Sequence, residues 1–213
     1  MDTAPRPAPA FAPGADRAAV RPTGILARLR AETRPQHDAL ERVVDLLDPA
    51  LTLERYRRWL HVLHGFHAPV ERAICAVPGW SALGLDPVER RRLAWLETDL
   101  ASLGEARAGA FGECAAVPVP RTLSEALGAL YVLEGSTLGG RVIVRHLEAT
   151  LGLGPLRGAR FFAGHGERTG AMWAGCRHAL ERHAEGGGDV DAVVEGAAGT
   201  FAALGRWIEG CGR

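Results

Sequence analysis

Three glycines lie inside one long apolar segment of this chain, and they limit what that segment can be. Apolar residues recur at helical spacing over residues 127–148, and Gly135, Gly139 and Gly140 stand in the middle. Each glycine costs a helix about 1 kcal/mol relative to alanine, so three together need a reason. Tyr131, Gly135 and Gly139 are spaced by four residues and therefore share one helix face.

Two interpretations fit such a strip of bare backbone beside one tyrosine. Close helix–helix packing through small residues is the first, and the spacing taken alone favours it. The second is a surface on which a flat ligand lies almost in contact with the backbone, with the helix bending at the glycines.

Composition predicts one ordinary globular domain and excludes some partners. The chain has 213 residues, enough for a sizeable core. Its 25 basic and 25 acidic residues give zero formal net charge, so no excess field favours nucleic acid or an anionic membrane. All the basic residues are arginine. An anionic ligand must therefore be held by arginine, histidine, hydroxyls or backbone.

The cysteine pattern and the hydropathy predict a cytoplasmic protein. The four cysteines are far apart and form no CxxC pair, which is typical of a reduced compartment. No apolar run approaches the roughly 18 residues that a membrane span needs, and we expect no secretion signal.

Helical periodicity predicts an all-α, single compact bundle over residues 23–213, after a disordered Pro/Ala-rich tail over residues 1–22. Helix signals place the elements as follows: residues 24–47 with a restart near Thr33, where Thr33-Arg34-Pro35-Gln36 resembles a capping box; a helix after Thr52 that ends at Pro78-Gly79; a helix opened by Asp86-Pro87; the glycine-bent helix over 122–151; a helix over 166–184; and a last helix capped by Asp189.

His37 is the first candidate for metal chemistry. Glu41 lies one turn later and can orient the imidazole through Nδ1, which is the usual support of a metal-bound histidine. Arg30 lies two turns before His37, roughly 10 Å along the axis, a separation that suits a porphyrin carboxylate. The alternative is a surface histidine with an acidic neighbour, and the spacing taken alone favours that alternative.

Other candidates are less specific. His61, His64 and His67 spread over about 120° of a helix and do not converge well on one metal ion. Arg177 follows Trp173 by one turn and is a candidate for closing over a ligand carboxylate.

Taken together, these motifs resemble the bacterial haem oxygenases, most closely those found beside bacteriophytochromes and in iron acquisition. The resemblance covers about residues 24–210. It rests on Leu29-Arg30, Thr33, His37 and Glu41; on Tyr131-Val-Leu-Glu-Gly-Ser-Thr-Leu-Gly-Gly about 90 residues later; and on the similar segments Tyr56, Trp59-Leu60, Gly65 to Glu71, Phe161-Phe162, Gly166, Gly170 and Trp173.

The resemblance implies haem held between a proximal N-terminal helix and a glycine-kinked distal helix, with haem as both cofactor and substrate. By position, His37 would ligate the iron and Glu41 would support it. Arg30 and Tyr131, and less clearly Arg177, would bind the propionates. The distal helix over the iron would be formed by Gly135, Ser136, Gly139 and Gly140, with Thr137 helping to hold water there.

The implied reaction is O2- and reductant-dependent cleavage of haem to biliverdin, CO and ferrous iron. The chain has no flavin or nicotinamide fingerprint, so a ferredoxin- or flavoprotein-type reductase is an implied partner. A bacteriophytochrome is an expected recipient of the biliverdin, and we expect a monomer.

Two departures and two rival functions remain open at this stage, and a purely structural helical bundle is a third alternative. Animal members carry aspartate where this chain has Ser136, and relatives often have tyrosine where it has His165. One rival is a non-catalytic haem carrier or sensor on the same fold. The other is a haem-free enzyme on a similar helical fold, such as the thiaminase-like relatives, which use a cysteine nucleophile.

Overall fold

The computed structural model describes residues 24–211. Within these residues it contains α-helices and 3-10 turns and no β-strand, which confirms the all-α prediction. The predicted tail over residues 1–22 lies outside the described residues. The helices are α1 (Ile25–Val43), α2 (Leu53–Ala76), α3 (Leu93–Ser102), α4 (Leu123–Gly135), α5 (Gly140–Leu151), α6 (Arg160–Ala163), α7 (Thr169–Glu185) and α8 (Val190–Cys211).

Helix α4 runs through the core and packs most closely on α8. Its residues Leu127 and Leu130 are buried. A Cβ on Gly128 would lie 2.0 Å from the carbonyl oxygen of Val193, and one on Gly196 of α8 would lie 2.3 Å from that of Glu125. Helices α4 and α8 therefore pack closely through these glycines where they cross.

Gly128 gives a direct test of that crossing. We expect Gly128→Ala to lower the free energy of unfolding by about 2 kcal/mol, because the methyl group meets a carbonyl that cannot move without shifting α8. Urea unfolding measures the change. Gly139→Ala is the matched control, because no atom lies within 4 Å of its Cβ position and alanine favours helix. Equal stability of the two variants would contradict the packing argument.

Two predicted helix starts are wrong. No restart occurs at Thr33, because its hydroxyl donates to the carbonyl of Leu29 at 2.8 Å inside an α1 that continues through Pro35. Helix α3 begins at Leu93, six residues after Pro87. The Glu71 carboxylate accepts the backbone N–H groups of Arg92 and Leu93 at 3.0 and 3.2 Å, and this fixes the later start.

The sequence predicts no apolar run of membrane-spanning length, and the structure differs: within residues 24–211, the helical stretch Leu123–Leu151, taken through the glycine bend, is long and apolar enough to span a membrane by length and composition. Its mean hydropathy is 1.2, and half of the apolar window is buried inside the fold. Burial of this kind is typical of a core helix.

Candidate functional site

A 3-10 turn over Ser136–Gly139 separates α4 from α5, so the helix changes its winding at the predicted place. The Ser136 hydroxyl and the buried Arg92 guanidinium both donate to the carbonyl of Leu133, at 2.7 and 2.6 Å. The Thr137 hydroxyl donates to the carbonyl of Glu134 at 2.7 Å. Side chains thus compete for the carbonyls that the next helical turn would use, which favours the tighter winding.

The glycines at this bend differ in what surrounds them. A Cβ on Gly139 would meet no atom within 4 Å, and one on Gly135 would meet only the Trp173 ring at 4.0 Å. A Cβ on Gly140 would lie 2.0 Å from the carbonyl oxygen of Phe162. Gly135 and Gly139 therefore leave open space, whereas Gly140 serves packing against α6. The place of the Gly140 backbone over the iron stays a prediction.

Tyr131 connects the bent segment with α1. Its side chain is half-buried beside Thr33 and Arg30. Burial raises the pKa of the Tyr131 phenol, and the neighbouring Thr33 and the Arg30 charge act in the opposite direction. Its ring centroid lies 5.6 Å from that of Trp173 on α7. One end of the site therefore brings together two of the predicted anion-binding residues.

A second contact joins the same two segments farther along the chain. The His146 imidazole on α5 binds the carbonyl of Asp48, just after α1, at 2.9 Å. The segments thus meet near Thr33 and Tyr131 at one end and at Asp48 and His146 at the other. His37 lies one helical turn beyond Thr33, and Gly135 lies one turn beyond Tyr131, so segments that run side by side in the same direction would carry both residues at a similar level. We call the region between α1 and the glycine bend the cleft.

His37 presents its ring at the surface of α1. Its side chain is 52% exposed, and its edge contacts the Phe201 ring at a centroid distance of 6.2 Å. Nδ1 lies 3.7 Å from the Glu41 carboxylate and 3.8 Å from that of Asp38, slightly beyond hydrogen-bond distance. Nε2 is on the opposite side of the ring and is the nitrogen available for a metal.

Asp38 was not singled out from the sequence. Donor atoms of His37, Asp38 and Glu41 all lie within 4.8 Å of one another. Asp38 is also bound by Arg34 at 2.7 Å, which balances its charge. It therefore adds to the carboxylate support of the imidazole rather than forming a separate site.

Three buried charged residues behind the bend were missed by the sequence reasoning. Arg90 pairs with Glu134 at 3.1 Å, and Arg92 binds both Leu133 and Ser136. A signal was present, because Glu134 is an acidic residue inside an apolar helix and such a residue usually has a buried partner. The partner itself was not readable from the sequence.

The histidines of α2 contact separate partners. His61 lies 3.4 Å from Glu105, His64 lies 3.5 Å from Glu97, and His67 bonds with Glu71 at 2.9 Å. These contacts point in different directions, as the three-residue spacing suggested. Arg177 lies exposed on α7, one turn after Trp173.

His165 occupies a buried corner behind the bend, where relatives often have tyrosine. Its ring contacts Trp95 edge-on at 5.1 Å, and its Nε2 has no hydrogen-bond partner. Burial lowers the pKa of His165 to about 4, and the charges of Arg92, Arg168, Arg90 and Arg160 act in the same direction. The imidazole is therefore neutral at neutral pH.

Acid should destabilise the protein partly through His165. Between pH 6.5 and about 4 the unfolded chain binds a proton that the folded chain does not, so this contribution to stability is complete above pH 6.5 and is lost as the pH falls. We expect His165→Phe to reduce the slope of unfolding free energy against pH by up to about 1 kcal/mol per pH unit there. Urea unfolding at several pH values measures it. An unchanged slope would contradict the assignment. His67 and His183, whose pKa values are also lowered by burial, contribute to the slope in the same direction in both proteins.

Comparison with known proteins gives a consistent result. A family profile described as "Heme oxygenase" matches residues 23–210. The fold is similar to the NO- and CO-bound heme oxygenase from Neisseria meningitidis, with a TM-score of 0.73, 24% identity, and coverage of 89% of this chain and 92% of that one. It is also similar to heme oxygenase-1 of the cyanobacterium Synechocystis in complex with heme, with a TM-score of 0.68, 18% identity, and coverage of 88% and 92%. No curated protein matches the chain.

Proposed function

The chain belongs to the haem oxygenase family, and from that premise we propose that it cleaves haem to biliverdin, CO and ferrous iron, using O2 and an external reductant. The observation that carries the proposal is the open strip at Gly135 and Gly139. Gly128 and Gly140 lie in close contact with the backbone of neighbouring helices. Gly135 and Gly139, by contrast, have no protein atom closer than 4.0 Å to their Cβ positions. A flat ligand that lay on this strip would meet backbone rather than side chains at these two positions.

The residues around the cleft fit haem. His37 offers Nε2 to the iron, with Glu41 and Asp38 on the Nδ1 side to orient the ring. Arg30 and Tyr131 are the residues that would bind propionates, and Arg30 lies two helical turns before His37 on α1. Arg177 is the further propionate candidate, since Trp173 of the same helix lines the cleft.

The hydroxyl oxygens of Ser136 and Thr137 can accept hydrogen bonds from water. Ser136 donates its only hydroxyl proton to Leu133, and Thr137 donates its own to Glu134. Neither has a second proton to give, so each offers lone pairs that hold water in the cleft. Bound haem supplies the O2-binding iron and is itself the molecule that is cleaved. Water held by Ser136 and Thr137 is then the proton source that this chain can position.

The aspartate of animal relatives is therefore not required by this arrangement. Ser136 is fixed by two hydrogen bonds, from Arg92 and to Leu133, and its oxygen has a constant position beside the open glycines. Absence of side chains at Gly135 and Gly139 lets the backbone approach the ligand closely. We propose that this close approach directs the oxygen chemistry toward one porphyrin edge.

The electron donor is proposed to be a ferredoxin- or flavoprotein-type reductase, and a bacteriophytochrome is the proposed recipient of the biliverdin. We also propose that the protein is a cytoplasmic monomer. These proposals rest on the family and on the sequence, which has no cofactor fingerprint for electron supply.

Aerobic turnover separates this function from its rival, a haem carrier or sensor. The hemin-loaded protein is given reductant in air, with catalase present to remove free peroxide. We expect the Soret band to disappear while a biliverdin band grows. A stable Soret band would establish the carrier or sensor function. Failure to bind hemin would instead favour a haem-free enzyme on a similar helical fold.

A further inference from the structure

A single guanidinium nitrogen joins the two helices that form the wall of the cleft. Nη1 of Arg90 lies 3.1 Å from the Glu134 carboxylate on α4 and donates to the carbonyl of Met172 on α7 at 3.0 Å. Glu134 directly precedes Gly135, and Met172 directly precedes Trp173. The Trp173 ring lies 4.0 Å from the Cβ position of Gly135, so each partner of this nitrogen is one residue away from the contact between Trp173 and Gly135.

The bridge is buried, so water does not compete with it. The Glu134 side chain is 2% exposed and that of Arg90 is 7% exposed. Gly175 of α7 has no side chain at the place where Nη2 of Arg90 passes, 3.1 Å from its Cβ position. The contact with Glu134 is an ion pair, since Glu134 Oε2 accepts no hydrogen bond from the described residues, and the one hydrogen bond of the bridge runs from Arg90 to Met172. A buried pair of this kind depends strongly on geometry, since removing one partner takes away compensation from the other charge.

A second polar link joins the same two helices at their other ends. The Ser124 hydroxyl in the first turn of α4 bonds with His183 in the last turn of α7 at 2.7 Å. Helices α4 and α7 are thus joined by these two polar contacts, which lie at opposite ends of the helix pair. Only the link through Arg90 is next to Gly135 and Trp173.

We propose that Arg90 and Glu134 are positioning residues that hold Trp173 against Gly135 and thereby set how haem is seated in the cleft. This inference rests on the proposed function. The seating of the porphyrin determines which meso carbon lies nearest the oxygen, so the bridge also sets which biliverdin isomer forms. Neither residue touches the substrate; both act through Trp173 and the backbone of α7.

The test compares three variants with the wild type. Arg90→Met removes the bridge and leaves Glu134 with the charge of Arg92 as its remaining cationic neighbour. The double variant Arg90→Met with Glu134→Met removes both charges, and such replacements usually keep a protein folded. Ser124→Ala is the matched control, because it removes the other link between the same helices, away from the cleft.

The first readout needs no haem. Without the Arg90 hydrogen bond, we expect the backbone amides over residues 172–177 of the haem-free double variant to exchange with deuterium about tenfold faster than in the wild type. Ser124→Ala should leave these amides unchanged and should speed exchange near its own end of α7. Wild-type exchange over 172–177 in the double variant would overturn the proposal.

The second readout uses the hemin complex. We expect the double variant to show a shifted C–O stretching frequency in its ferrous CO complex and a mixture of biliverdin isomers, whereas Ser124→Ala retains the wild-type frequency and isomer pattern. An unshifted frequency with an unchanged isomer pattern in the double variant would overturn the proposal. If the wild type itself bound no hemin, the proposed function would fail, and hydrogen exchange would still decide whether the bridge positions Trp173.

Discussion

Replacing Gly139 with leucine should leave a folded protein that still binds some hemin but loses biliverdin formation, with turnover at least about a hundredfold lower. The position has helical dihedral angles and no atom within 4 Å of its Cβ, so the haem-free protein accommodates the side chain. The leucine then occupies the space next to the ligand, and misplacement of about 1 Å is enough to lower turnover about a hundredfold. Aerobic turnover with catalase measures the loss.

Gly210→Leu is the control for this variant. Gly210 is another helical glycine without an atom within 4 Å of its Cβ position, and it lies near the end of α8. We expect this protein to turn over hemin like the wild type. Normal biliverdin formation by Gly139→Leu would count against the open glycine strip as the substrate surface.

Replacing His37 with alanine should remove the iron ligand and abolish turnover. The side chain is half exposed and packs only edge-on against Phe201, so its loss changes the stability of the fold little. We expect hemin affinity to fall by at least about tenfold, because coordination is lost while the propionate contacts remain. Hemin titration, followed by the absorption and electron paramagnetic resonance spectra of the complex, measures both effects.

His64→Ala serves as the control for the ligand assignment. His64 lies on α2 next to Glu97 and takes no part in the cleft. Its variant should keep the wild-type iron spectrum. An unchanged iron spectrum in the His37 variant would show that another group ligates the iron.

Local signals in the sequence predicted much of the fold. Thr52 caps α2 by accepting the N–H of Arg55, and Asp189 caps α8 by accepting that of Ala192, both as expected from residue type. The bend at Gly135 and Gly139 also followed from local chemistry, because glycine weakens a helix wherever it stands. What the glycines face depends on distant segments. The sequence alone therefore did not separate Gly140, which packs on α6, from the two open positions.

The partners of the buried charged residues could not be predicted from the local sequence, because they also come from distant segments. Glu71 fixes the start of α3 from 21 residues away, and Arg90 reaches Glu134 across 44 residues. Periodicity indicates that a residue is buried but does not identify its partner. The restart predicted at Thr33 failed because the hydroxyl bonds backward to Leu29 inside the helix instead of capping a new one.

A crystal structure of the hemin complex tests the central claim most directly. The account predicts iron bound to Nε2 of His37, with the backbone of Gly135 and Gly139 on the opposite face of the porphyrin and the propionates near Arg30 and Tyr131. Iron ligated by another histidine, or hemin bound outside the cleft between α1 and the glycine bend, would contradict it.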